Sequence, residues 1–167
     1  MSENYFTWYG ITPAFFPDEK AIRTAYYRLS LETHPDHSDN HEEAMKLSSR
    51  NNAAYQTLKQ FDTRLPYLLG LLGFYTPEEK YSLDPEFLME MMELNESISF
   101  AEGEEKASYE KQVTDLETAL NSQLESLCKT WDETQEKSLL ESIKEGYYKR
   151  KYLRRLRQNL NNEDAEL

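Results

Sequence analysis

His34, Pro35 and Asp36 set an imidazole and a carboxylate two residues apart, with a ring between them that stiffens the chain. An imidazole can donate or accept a hydrogen bond near neutral pH, and a carboxylate can hold an arginine guanidinium. Acid/base catalysis, metal ligation and docking to another protein all use such groups, and the rest of the sequence decides among them. Catalysis requires converging groups, and the sequence offers no nucleophile paired with a base. His37 and His41 lie within a few residues, but no cysteine joins them and Pro35 splits the set, so metal binding is a minor reading. Cys128 is the only cysteine; it excludes an internal disulfide and, within a helical pattern, reads as a small core side chain. The acidic pairs Glu78-Glu79 and Glu104-Glu105 sit in charged segments and read as solvated faces. Lys149-Arg150-Lys151 with Arg154, Arg155 and Arg157 is usable for phosphate, but near a helix C-terminus it more simply complements the dipole and the glutamates of neighbouring helices. Neither an enzyme nor a cofactor or metal site is expected.

The elements around His34 must therefore present it. Ile22, Ala25, Tyr26 and Leu29 recur at helical spacing after Pro17-Asp18, which predicts an amphipathic helix from Asp18. Lys20, Arg23, Tyr27 and Arg28 fall off its apolar face. Pro35 disfavours helical geometry at His34, so residues 34–40 form a polar loop. Ala44, Leu47, Asn51, Ala54, Tyr55 and Leu58 predict a second helix from about His41 to Phe61, antiparallel to the first. Upstream, Tyr5, Phe6, Trp8 and Tyr9 form a short aromatic helix stopped at Gly10. Downstream, an apolar stretch over Leu65–Leu72 stops at Gly73.

The domain boundary is placed here, with residues 1–75 as one unit, 76–83 as a linker and 84–167 as a three-helix bundle. Asp84-Pro85-Glu86 is a helix start, and Phe87, Leu88, Met91, Leu94 and Ile98 share one side of the helix it opens. After Gly103-Glu104, Val113, Leu116, Leu120, Leu124 and Leu127 continue a seam of period three to four. A third helix is expected from near Asp132, carrying Leu139, Leu140, Ile143, Tyr147, Leu153, Leu156 and Leu160.

Composition agrees with an all-α chain. Only 5 of 167 residues are Gly and 6 are Pro, so breakers are scarce among helix formers, while 12 Tyr and 7 Phe supply more aromatic surface than a disordered chain carries. The net charge of -12 opposes nucleic acid and anionic lipid as partners. No apolar run reaches the length of a membrane span and the N-terminus has no leader pattern, so a cytoplasmic location is expected. Residues 1–75 carry 7 basic against 9 acidic residues and the remainder 12 against 22, a polarity that predicts different partners for the two parts.

The run Ile22-Arg23-Thr24-Ala25-Tyr26-Tyr27-Arg28-Leu29, with His34-Pro35-Asp36 and then Asn52-Ala53-Ala54-Tyr55-Gln56-Thr57-Leu58 after it, closely resembles the J-domain of DnaJ-type co-chaperones. Arg64-Leu65-Pro66-Tyr67-Leu68-Leu69-Gly70-Leu71-Leu72-Gly73 and the stretch from Asp84 to Glu96 are similar to the HscB family of iron-sulfur cluster assembly. The Gly/Phe-rich and Cys-rich regions of general DnaJ proteins are missing. The resemblance implies an antiparallel helical hairpin with short flanking helices, then a client-binding bundle. It implies docking of the first part on an HscA-type or DnaK-type ATPase chaperone through His34, Pro35, Asp36, Arg23, Tyr27 and Arg28. It also implies delivery of the scaffold protein IscU by the second. Thr24, Tyr27 and Glu32 stand where DnaJ-like helices often carry Lys, so the usual basic stripe is thin and a dedicated partner is implied.

Residues matching the HscB client surface are Leu88, Met89, Met92, Glu93 and Glu96, with Tyr152 on the last helix. A Leu/Met patch rimmed by Glu suits a partner that must be released, because Met adapts to irregular contacts. The competing use of Leu88, Met89 and Met92 is bundle core, but Phe87, Met91, Leu94 and Ile98 already supply a core side. A general J-domain protein whose bundle recruits another client is the alternative function.

Overall fold

The computed structural model describes residues 3–163 apart from Pro35, His37 and Ser38. Pro35, His37, the Leu160 side chain and the end of the acidic tail therefore lie outside the described residues. Among the described residues seven α-helices succeed one another: α1 Tyr5–Tyr9, α2 Glu19–Glu32, α3 His41–Leu58, α4 Phe61–Leu71, α5 Pro85–Phe100, α6 Gly103–Thr134 and α7 Leu139–Glu163. No strand occurs among the described residues, as the scarcity of breakers predicted. The chain divides into two compact units, Met1–Tyr75 and Thr76–Leu167.

Capping side chains start the helices of the first unit. Asn4 accepts from the Thr7 amide at 3.0 Å while Thr7 Oγ1 accepts from the Asn4 amide at 3.0 Å, and Gly10 ends α1 at φ 68°. Asp18 caps α2 through the Lys20 amide at 2.9 Å, and Asn40 caps α3 through the Glu43 amide. The apolar faces then meet: Phe6, Phe15, Ile22, Ala54, Leu58, Leu65, Leu68 and Leu69 are almost wholly buried. Each large side chain among them contributes roughly 1.5–3 kcal/mol relative to exposure.

The second predicted helix stops earlier than expected. Gln60 takes an extended conformation, and Phe61 opens α4 instead of closing α3. Side chains from α4 explain the break. Thr63 donates to the carbonyls of Thr57 and Gln60, and buried Arg64 donates to Leu58 at 2.5 Å and to Phe15 at 2.8 Å. Carbonyls at the end of α3 that lack an intrahelical partner are thereby satisfied.

In the second unit Asp84 and Pro85 start α5 as predicted. Met91, Leu94 and Ile98 of α5 pack with Val113 of α6 and with Leu153 and Leu156 of α7. The third helix begins later than expected. α6 runs through Asp132 to Thr134, because Leu124, Cys128 and Trp131 continue its buried seam, and it ends at Gln135 in the left-handed region at φ 56°. α7 returns antiparallel along α6, since Arg157 reaches Glu117 whereas Gly146 lies against Leu124. A Cβ at Gly146 would stand 3.0 Å from Leu124 Cδ1, so a larger residue there would require the Leu124 side chain to shift.

Residues 76–83, read from sequence as a linker, form a strap that packs onto α7. Lys144 Nζ donates to Glu79 at 2.9 Å, the Tyr148 hydroxyl donates to the same carboxylate at 2.8 Å, and Tyr81 stacks on Tyr148 with centroids 4.4 Å apart. Glu79 is thus no solvated surface acid. The Lys144 hydrogen bond, with the Tyr148 hydroxyl assisting, holds its carboxyl below the usual glutamate range against the opposing effect of partial burial.

Candidate functional site

The helices flanking the His34 loop form a rigid pair. Tyr26 stacks on Tyr55 with centroids 4.2 Å apart, and Ile22 and Arg23 share a shallow depression with Tyr55 and Lys59 near the end of α3, so the contacts run in reverse order. Asn51, buried on α3, ties three helices together. Its amide nitrogen donates to the Tyr26 carbonyl and to Ser30 Oγ, both at 3.0 Å, and its side-chain oxygen accepts the Tyr9 hydroxyl at 2.8 Å. Burial pushes the Tyr9 phenol well above its ordinary value, so it stays a donor at any working pH. Thr33 closes α2 by donating to the Leu29 carbonyl at 2.7 Å.

Beyond Thr33 the side chains of His34, Asp36, Asp39 and Asn40 face solvent. The His34 and Asp36 side chains are 53% and 78% exposed, with Nδ1 and Oδ2 3.6 Å apart. The Asp36 amide donates to His34 Nδ1 at 3.2 Å, an arrangement that in the neutral ring leaves the proton on Nε2. Both groups are close together and accessible from outside. Arg23, Tyr27 and Arg28 are likewise exposed on α2, and Arg28 is held by Glu32 at 3.2 Å. Leu31, 72% exposed and one turn beyond the 64% exposed Tyr27, extends an apolar stripe towards the loop. Sequence reasoning passed over Leu31. Its signal was a large apolar residue away from the Ile22-Ala25-Leu29 face.

The second candidate surface lies on the bundle. Met89 and Met92 are 62% and 65% exposed, whereas Met91 is fully buried, so two of the three methionines are surplus to the core. Met89, Met92, Glu93 and Glu96 line one open groove with Tyr152 of α7. Leu88 is half-buried and lines an adjoining groove, whose other wall includes Tyr81, Tyr148 and again Tyr152. Tyr152 is thus the ridge between the two, braced by an edge contact to Phe87 at 6.0 Å. All six residues that matched the client pattern are therefore brought together. Lys151 and Arg155 also line the second groove, and reading the basic run as a helix-end feature missed them. Their signal was spacing by four on α7, with Tyr152 between.

The expected roles of the acidic pairs and of the cysteine divide on contact. Glu104 and Glu105 are exposed, whereas Glu79 is engaged by α7. Cys128 is buried with its thiol pushed far above the ordinary value by burial, so it is a core side chain with little thiolate. No described helix is long and apolar enough to cross a membrane.

Two family models match the chain, one over each of its compact units. A DnaJ domain family model matches residues 4–67, and the HSCB C-terminal oligomerisation domain model matches residues 83–161. Among solved structures, the chaperone HscB from Vibrio cholerae is 26% identical with a TM-score of 0.68, over 99% of both chains. The human co-chaperone protein HscB is 26% identical with a TM-score of 0.69, over 99% of this chain and 84% of that one.

Proposed function

The chain belongs to the HscB family of J-domain co-chaperones, and from that premise we propose that it couples a scaffold protein of the IscU type to an HscA-type or DnaK-type ATPase. The first unit docks on the ATPase in its ATP state through His34, Pro35 and Asp36, with Arg23, Tyr27 and Arg28 adding contact along α2. The second unit holds the scaffold protein on Leu88, Met89, Met92, Glu93, Glu96 and Tyr152. Nucleotide hydrolysis belongs to the partner. This chain contributes binding free energy that differs between two conformations of that ATPase, and such a difference is what shifts its cycle.

The observation carrying this reading is the exposed His34 and Asp36 pair at the end of a rigid two-helix hairpin. An exposed carboxylate can meet an arginine of the partner, and the imidazole beside it adds a directional donor. A purified-component ATPase assay tests the proposal. Chaperone alone, with this chain, with the scaffold protein, and with both should give rising rates, the last exceeding the product of the two single stimulations. A rate with both proteins equal to that with the scaffold alone would overturn it.

A further inference from the structure

The bundle settles many of its charges internally. Lys111 pairs with Asp115 and Lys149 with Glu145, both at 2.7 Å, while Arg157 reaches Glu117 at 2.8 Å and Lys144 reaches Glu79 at 2.9 Å. Lys80, Lys151 and Arg155 depart from this pattern. All three line the groove that contains Leu88 and Tyr152, and have no carboxylate partner among the described residues. Across the Tyr152 ridge, the carboxylates of Glu93 and Glu96 line the methionine groove and have no cationic partner among the described residues. Charges of opposite sign without internal partners thus lie on opposite sides of one apolar ridge, and the one carboxylate in the cationic groove, Glu79, is taken by Lys144.

Position and chemistry both favour use of this sorting. Lys151 and Arg155 are four residues apart and share a face of α7. Lys80 stands between Glu79 and Tyr81, the two residues that clamp the strap to Lys144 and Tyr148, so its backbone is held at the groove edge. α7 carries a second group of cations, Arg150, Arg154 and Arg157, in another groove, but there Glu117 pairs with Arg157. Separate charge patches around an apolar anchor contribute modestly to affinity but specify orientation, because the reversed pose sets like charges together.

We infer that the Tyr152 ridge is the centre of a two-signed docking groove, in which Lys80, Lys151 and Arg155 take an acidic segment of the scaffold protein while Glu93 and Glu96 take a basic one. This rests on the client role proposed above for α5, and it adds the orientation in which the client is held.

Calorimetric titration of the full-length chain with purified scaffold protein, at low and at high salt, tests it. The double variant K151E/R155E should bind about tenfold more weakly at low salt, with the deficit shrinking to within about twofold near 0.5 M salt, where exposed charges are screened. The conservative pair K151R/R155K should keep wild-type affinity, and circular dichroism of both variants should match the wild type. Failure of the wild-type chain to bind the scaffold protein would remove the client reading itself. Wild-type binding with K151E/R155E unaffected, or equally weakened at both salt concentrations, would overturn the two-signed groove and leave the client reading standing.

Discussion

At the scale of single residues, chemistry at the loop and packing beneath it are separable. Asp36 is largely exposed, so Asp36→Asn changes a charge without opening a cavity, and surface changes of this kind usually alter stability by less than about 0.5 kcal/mol. A hydrogen bond to a charged partner is worth about 1.5–3 kcal/mol, so Asp36→Asn should weaken stimulation of the ATPase by roughly tenfold to a hundredfold. His34→Gln should behave similarly, and both variants should keep the wild-type helical signal in circular dichroism. Stimulation that survives either change would remove the docking role from the loop. Cys128 sits at the other extreme, fully buried with its thiol pushed up by burial. An alkylating reagent should therefore label it only on the unfolding timescale, and labelling in native buffer as fast as in denaturant would contradict its place in the core.

At the scale of elements, the strap and α5 decide how the bundle meets other proteins. The Glu79 carboxyl is held below its ordinary value, chiefly by the Lys144 hydrogen bond, so its contribution to stability is complete above the unfolded carboxylate range. That contribution declines as pH falls through the lowered folded value. Urea unfolding at acid pH should show a smaller loss for Glu79→Gln than for wild type, because the variant has no proton to take up there; parallel losses would show that the strap contact contributes nothing. On α5, Leu88→Ala with Met92→Ala removes side chains that are half-buried and exposed, respectively. Interface truncations of about 1–2 kcal/mol each predict scaffold binding weakened by at least tenfold with helicity retained. Unchanged affinity in calorimetry would show that this groove does not receive the client.

At the scale of the whole molecule, the core of each unit is assembled from residues of that unit. Phe6, Phe15, Leu58 and Leu69 lie on one side of the Tyr75 boundary and Met91, Ile98, Val113 and Leu153 on the other. Fragments 1–75 and 76–167 should each unfold cooperatively when heated, and the first should stimulate the ATPase but, with the scaffold protein added, give no more than the product of the two single stimulations. A first fragment as active with the scaffold as the full chain would refute the division of labour. The sequence by itself determined the helix content, the caps at Asp18 and Asp84 and the core side of α5, because these depend on local spacing and on side chains acting on their own helix; both candidate surfaces were named from the family resemblance. Tertiary structure alone decided that α3 ends before Phe61, where Thr63 and Arg64 take over its carbonyls, and that α6 extends past Asp132 on the strength of Cys128 and Trp131. It also decided that Glu79 is clamped by α7 and that Lys151 and Arg155 border the same ridge as Leu88. The physical reason is common to all of these: periodicity records which face of a helix is apolar, whereas the partner of a polar group is set by segments distant in the chain that meet only after the helices have packed.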